Sequence, residues 1–564
     1  MKKAAIAAVL LICGAGYVYM QTTAVERPLA AWMPGGALLY LEAPDFSTLL
    51  REWDASQTKS DWLSSANYAV FSRSNLFFKL NEVYTQYATA AGFEPGLKSI
   101  EAMAGDRSAL ALYDVRGVEF LYVTRLAESA LAQTELWALR DKFQQRQAAG
   151  VPFYVRTDPA SNRTVAFAFA RGHLFLATRD DLVAQALELL GGAANPSIAS
   201  DRWYRQAASA APKAGELRLV MNLESLVKST YFRSYWIQRN ASAVRRYWTG
   251  ISDMRRSSEG IVESRTFLRS PDDASAAGAD VAGLLALVPT DAGMYKVWRP
   301  ENAAEAAGLA VAKLIGAQPQ RVTDWRMAPW AVAVDAHAGT EADLETRIDE
   351  DALPADPGLA DAVAAITKTL GANRPAGILL VQSSALAGGP FIQTPAVLVF
   401  EGAADWDRGA VQSAVSTAAG KLWTTAQLGA GWTAGTAGSH AVDRLNGLAT
   451  LFVTVRGPRL FLANDSAILA AVLDRTAARP VAGPLSYAAG FRLARERDDY
   501  NRIMRALDFG SPSGMPFGVA PRDAVPPLFS GNLASLGQVF SNISEMGITV
   551  HESADRTTQS VTYR

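Results

Sequence analysis

The sequence predicts an α+β protein, a tandem duplication of a domain with an antiparallel β-sheet and packed helices, after an N-terminal hydrophobic helix. Three observations predict it: an apolar run beside N-terminal lysines, short motifs that recur in the same order in both halves, and strand-like segments joined by tight turns instead of helical crossovers. At about 150 residues per domain, the 564 residues allow three to four domains. Hydrophobic residues make up 49% and charged residues 19%, with 13 Trp, 22 Phe and 17 Tyr, too much apolar side chain for a disordered protein. Lys plus Arg number 54 against 55 Asp plus Glu, so no global positive field recruits nucleic acid.

The first element is the N-terminal run. Met1-Lys2-Lys3 precedes an apolar or small stretch from Ala4 to Met20. As a helix it reaches about 26 Å, short for a span and long for a signal. The lysines mark the cytoplasmic end, so the positive-inside rule exports everything after Met20. The expected location is a bacterial inner membrane crossed once by residues 4–20, with the bulk of the chain in the periplasm. Cleavage near Ala24, after Thr22-Thr23, gives a secreted protein as the alternative. Tyr17 and Tyr19, where an outer interfacial belt would lie, speak for a retained anchor. The only cysteine, Cys13, lies inside the run, so the exported part has no thiol, disulfide or cysteine metal site. Bulky Ile12 before it argues against a lipoprotein signal.

The duplication is read from paired motifs. Arg171-Gly172-His173 followed by Leu174-Phe175-Leu176-Ala177 recurs as Arg456-Gly457-Pro458-Arg459 followed by Leu460-Phe461-Leu462-Ala463. Met33-Pro34 with Tyr40 matches Val288-Pro289 with Tyr295, and Asn222 to Leu226 matches Asn532 to Leu536. Ile251 to Met254 matches Ile543 to Met546. These pairs give a signal anchor or signal peptide over 1–25, a first repeat over 26–270, a small and polar linker over 271–280 and a second repeat over 281–564.

Within the first repeat, alternation predicts strands over Ala109–Tyr113, Phe120–Thr124, Thr164–Ala170 and Leu174–Thr178. Asp158-Pro159-Ala160-Ser161-Asn162 supplies a turn before the third of these. Apolar residues at helical spacing predict helices over Leu131–Phe143 and Leu182–Leu190, the second stopped by Gly191-Gly192.

The Pro-then-Tyr opening strand (Pro34, Tyr40), the Arg-Gly-x-Leu-Phe-Leu-Ala strand followed by a helix, and the tandem arrangement resemble an uncharacterised family of exported bacterial proteins, domain of unknown function 3352. The resemblance spans most of the chain after residue 30. It implies an envelope location and supplies no catalytic residue.

Motifs for chemistry are sparse. His173, His337, His440 and His551 stand singly, without the spacing of a metal site, and read as surface or turn histidines. Gly510-Ser511-Pro512-Ser513-Gly514 places proline where a nucleophile elbow needs serine. Ser225-Leu226-Val227-Lys228 matches S-x-x-K, but Gln538 stands where the second repeat would need its lysine. Gly429 to Gly435 has the wrong glycine spacing for a phosphate loop and reads as a flexible loop. Asp349-Glu350-Asp351 reads as a solvated loop. No catalytic residue, metal ligand or cofactor is assigned.

One segment is chemically biased. Between Leu226 and Ile251 lie 24 residues, against 6 between Leu536 and Ile543. Arg233, Tyr235, Trp236, Arg239, Arg245, Arg246, Tyr247 and Trp248 fall in this insertion, and no acidic residue interrupts Lys228 to Ser252. On a helix, Phe232, Trp236, Ala243 and Tyr247 share a face bordered by guanidinium groups. They are the candidate contacts for an envelope protein, an anionic lipid or a cell-wall polymer. The alternative is that the aromatics pack onto the first domain while the arginines remain in water.

The expected function is a non-catalytic, periplasm-facing binding or scaffolding module. A hydrolase with carboxylates assembled by folding, or a carrier of an apolar ligand held between sheet and helices, are the alternatives. Paired carboxylates in a deep pocket mark the hydrolase, a dry cavity the carrier, and flat apolar patches around the arginines the scaffold.

Overall fold

The computed structural model describes residues 27–73, 75–228, 244–271, 280–315, 320–321, 357–383, 391–392, 394–423, 431–447, 450–480, 483–497 and 543–564. The N-terminal run with Cys13, most of the linker, His337, Asp349 to Asp351, Gly510 to Gly514 and Asn532 to Gln538 lie outside the described residues. Among the described residues no helix is long and apolar enough to cross a membrane. Helices and antiparallel strands are mixed, and two compact units form: Met1–Arg51 with Asn81–Ile251, and Glu52–Leu80 with Ser252–Arg564.

Unit 1 carries strands β1 (Leu39–Ala43), β2 (Arg107–Asp114), β3 (Glu119–Arg125), β4 (Gln144–Ala148), β5 (Val151–Thr157), β6 (Thr164–Ala170), β7 (His173–Ala177) and β8 (Leu217–Met221). Their order is β8-β1-β2-β3-β7-β6-β5-β4, every pair antiparallel. The strands expected from alternation are all present. The turn before β6 forms as its chemistry requires: Ser161 donates from its backbone N–H to Asp158 Oδ2 at 2.9 Å, and Asn162 takes φ 57°.

Helices α1 (Phe46–Asp54), α2 (Asn75–Ala91), α3 (Leu97–Met103), α4 (Glu128–Leu131), α5 (Glu135–Ala138), α6 (Asp180–Gly191) and α7 (Arg202–Ala210) belong wholly or in part to this unit. Because side chains alternate along a strand, the sheet buries two different faces. On one, Tyr40, Ala111, Leu121, Val123 and Phe175 meet α6 and α7. On the other, Val165, Phe167 and Leu174 meet Ala91 of α2, Met103 of α3, Leu131 of α4 and Leu136 of α5. The single helix expected over Leu131–Phe143 is broken. The Thr134 hydroxyl donates to Leu131 O (2.7 Å) and accepts from Trp137 N–H (3.2 Å), ending α4 and capping α5.

Strand β9 (Tyr247–Ser257) carries the chain from unit 1 into unit 2. Unit 2 continues with β10 (Gly260–Arg269), β11 (Met294–Trp298), the short β12 (Gln320–Arg321), β13 (Gly377–Gln382), the short β14 (Phe391–Ile392), β15 (Ala396–Glu401), β16 (Gly431–Ala437), β17 (His440–Asn446), β18 (Leu451–Arg456), β19 (Arg459–Ala463), β20 (Tyr487–Phe491), β21 (Met546–Glu552) and β22 (Arg556–Tyr563). The order is β10-β22-β21-β20-β11-β13-β15-β19-β18-β17-β16, again antiparallel throughout. The division between units falls at Ile251/Ser252, before the 271–280 segment, because β10 is laddered to β22 from Ile261↔Tyr563 to Leu268↔Arg556.

Helices α8 (Ala282–Leu285), α9 (Ala303–Ala310), α10 (Pro357–Asn373), α11 (Arg408–Leu422) and α12 (Ser466–Leu473) cover this sheet. Ile378, Leu380, Leu398, Phe400 and Leu462 pack with α9, α10 and α11 on one face, and Val297, Leu379, Val397 and Phe461 with α8 and α12 on the other. Gly431 to Gly435, expected in a flexible loop, is strand instead. It pairs with β17 from Gly431↔Asn446 to Ala437↔His440, and Gly438 at φ 58° closes the hairpin.

Candidate ligand-binding cavity

The second face of the unit 1 sheet is not fully covered. Between it and the helices lies a cavity of about 320 Å³. Its floor is a patch of that face, formed by Leu110 of β2, Phe120 and Tyr122 of β3, Val165 of β6 and Leu176 of β7. The register puts Leu110, Tyr122 and Leu176 in one row across three strands, since Tyr122 stands opposite both of the others. The roof comes from Phe46 of α1, Tyr87 and Ala91 of α2, Ile100 and Met103 of α3, and Leu136 of α5. Tyr87 and Ala91 are four residues apart and Ile100 and Met103 three, so each helix turns one stripe onto the space. Phe93, Pro95, Ala177 and Thr178 complete it, and no carboxylate or histidine is among the lining residues.

The hydroxyls at its wall are engaged. Tyr122 donates to Met103 O (3.3 Å) and lies 2.9 Å from Ser108 Oγ, and Tyr87 donates to Gly117 O (3.2 Å). Burial pushes both phenols above the usual tyrosine range, since ionisation would place an anion against hydrocarbon. Thr178 Oγ1 accepts from Phe120 N–H at 2.9 Å.

Unit 2 has a different depression, about 420 Å³, beside Arg299, Glu301, Asn302 and Arg374. Arg299, Glu301 and Arg374 are exposed to water, and Asn302 is spent capping α9 through Glu305 N–H (2.9 Å). Its lining is charged and polar, unlike that of the unit 1 cavity.

Of the residues singled out in the insertion, the described ones do not line the cavity. Arg233, Tyr235, Trp236 and Arg239 lie outside the described residues. Arg245 is exposed and Arg246 half-buried just ahead of β9. Tyr247, expected on a helix face, opens β9 together with Trp248, and Thr249 Oγ1 lies within bonding distance of Trp203 O (3.1 Å) and Met221 O (3.0 Å). Trp248 packs against the core on the face opposite the cavity, with the Arg202 guanidinium 4.6 Å from its ring centre.

Two of the histidines and the S-x-x-K lysine have structural partners. His173 is buried, not at the surface as expected, because β7 turns it inward; its Nδ1 lies 2.9 Å from Arg171 O, and Trp32 meets its ring at 4.7 Å. His440 bridges Asp474 (2.7 Å) and Arg456 (2.9 Å). Lys228 pairs with Glu224 at 3.0 Å. Among the described residues, no group of three or more His, Cys, Asp or Glu is placed to hold a metal ion.

The cavity residues carried no motif. Leu110, Phe120, Tyr122 and Leu176 were legible as strand residues, but alternation does not say which face is left uncovered. No protein-family model matches the chain, and no curated protein matches it. A solved structure titled "Structure of crystal form I of TP0453" aligns with 44% of this chain and 81% of that chain, at 10% identity and a TM-score of 0.24. At that score the likeness carries no argument.

Proposed function

We propose that the protein is a non-catalytic exported binding protein, anchored by residues 4–20 in the inner membrane and facing the periplasm, whose first unit carries an apolar ligand. The observation behind this reading is the cavity, with about 320 Å³ of space and a wall of carbon between sheet and helices. Ligand sites in proteins span about 300–1,000 Å³ and are mostly apolar. The hydrolase expected from paired carboxylates would need them facing its substrate, and no carboxylate lines this cavity.

The proposal includes two copies of one domain and membership in the exported family named above. The matching pairing orders, β8-β1-β2-β3-β7-β6-β5-β4 and β20-β11-β13-β15-β19-β18-β17-β16, support the two-copy reading. So do the paired motifs, with Tyr40 in β1 and Tyr295 in β11, Leu174 to Ala177 in β7 and Leu460 to Ala463 in β19. Under that equivalence the row Leu110, Tyr122 and Leu176 corresponds to Leu380, Leu398 and Leu462. The second row is buried under helices, at 8%, 0% and 4% exposure, whereas the first is half-buried and faces the cavity. An open space at this position is thus peculiar to one copy.

Native mass spectrometry of the full-length protein extracted from its own membranes tests the reading. The expected result is one apolar mass per chain, released on unfolding, and saturable uptake of the probe 1-N-phenylnaphthylamine once it is stripped. Folded protein that carries no such mass and takes up no probe overturns it.

A further inference from the structure

Resting on that reading, the hydrogen bonds at the cavity wall specify which end of a ligand enters. Three lining side chains bear hydroxyls, and the protein engages the donor of each and one of its acceptor sites. Tyr122 gives its proton to Met103 O (3.3 Å), which leaves Ser108 Oγ at 2.9 Å to donate to it. Tyr87 gives its proton to Gly117 O (3.2 Å) and faces Arg163 Nη1 at 3.4 Å. Thr178 lies 3.4 Å from Phe120 O as donor and accepts from Phe120 N–H at 2.9 Å. The rest of the wall is side-chain carbon and the Met103 thioether.

A carboxylate or phosphate carried inside would lose its water and find no free donor. Hydrocarbon loses nothing of the kind and gains with every methylene buried. The space is bounded: at about 30 Å³ for each non-hydrogen atom, roughly the share of a water in the liquid, it holds on the order of ten. The cavity opens to water beside Ile100, which lines it and is 37% exposed.

We propose that unit 1 takes the hydrocarbon tail of an amphiphile, about ten carbons of it, tail first, and leaves the polar head in water at the rim beside Ile100. The site reads the tail and is indifferent to the head, so carboxylate, alcohol and phosphoester amphiphiles of equal tail compete alike.

Displacement of 1-N-phenylnaphthylamine from the full-length protein separates this from other apolar sites. Octanoate, decanoate and dodecanoate are compared with decanol and with dodecanedioate, which has a carboxylate at each end. The expected result is a gain of about three- to fourfold in affinity per methylene from octanoate to decanoate. Decanol matches decanoate, and dodecanedioate is weaker than dodecanoate by on the order of a hundredfold. Equal displacement by dodecanedioate and dodecanoate overturns tail-first binding while leaving the site itself standing; absence of saturable probe binding overturns both. Ala91→Leu, which fills the roof, and Ile100→Trp, which narrows the rim, are each expected to weaken decanoate at least tenfold, with folding checked by circular dichroism. Unchanged affinity in a folded variant places the tail elsewhere and overturns the proposal.

Discussion

Tyr40 stands at the centre of the first core, fully buried in β1, with its hydroxyl donating to Glu42 Oε2 at 3.1 Å and its ring edge-on to Tyr204 at 5.2 Å. Burial, and then the Glu42 carboxylate, hold its phenol well above the ordinary value, and the same causes push Tyr204 up to about 12. An unfolded tyrosine ionises near pH 10, so the folded state binds these protons more tightly than the unfolded chain does. Their contribution to stability is complete below about pH 10 and is lost as pH rises through the folded values. The urea midpoint of unit 1 is therefore expected to fall between pH 9 and pH 11. Tyr40→Phe is expected to flatten that fall, and a pH-independent midpoint in the native protein contradicts the account.

Elements whose boundaries depend on local chemistry were legible, and α6 illustrates why. Asp180 and Asp181 sit in its first turn, its apolar residues recur at helical spacing, and Gly192 ends it in the left-handed region at φ 96°. Gly192 N–H bonds Leu189 O (3.1 Å) and Ala193 N–H bonds Glu188 O (3.0 Å), which closes the C-terminus. Gly192→Ala puts a Cβ in that conformation, and a loss of about 1 kcal/mol is expected in chemical denaturation. Elements that depend on distant partners were misread for a physical reason. Leu131 to Phe143 has helical spacing, but a buried threonine restarts the chain in its middle. Gly431 to Gly435 has loop composition, but β17 supplies the partner that makes it a strand. Tyr247 fits a helix pattern, yet the neighbouring Thr249 ties it into β9 through carbonyls of residues 203 and 221.

At the scale of the molecule, the two sheets share an eight-strand pairing order but are filled differently. Phe120 and Tyr122 in unit 1 stand half-buried over open space, while Leu398 and Phe400 in unit 2 lie fully buried against the small side chains of α9 and α11. If the tail enters unit 1, saturating decanoate stabilises that unit by mass action, about 2.7 kcal/mol at a hundred times Kd. Amide hydrogen exchange is expected to slow in β2, β3, β6, β7 and α3 and to remain unchanged in β13, β15, β18 and β19. Equal protection in both units contradicts a single site. By itself the sequence determined what is local or compositional: alternating strands, the Asp158 turn, the glycine stop of α6, and a chain too apolar for disorder and nearly balanced in charge. The tertiary structure alone decided where the cavity lies. Leu110, Tyr122 and Leu176 become neighbours only through strand register, and the space above them is a difference between the volume the helices enclose and the volume their side chains fill. That difference is a sum over many distant residues, which no local pattern encodes.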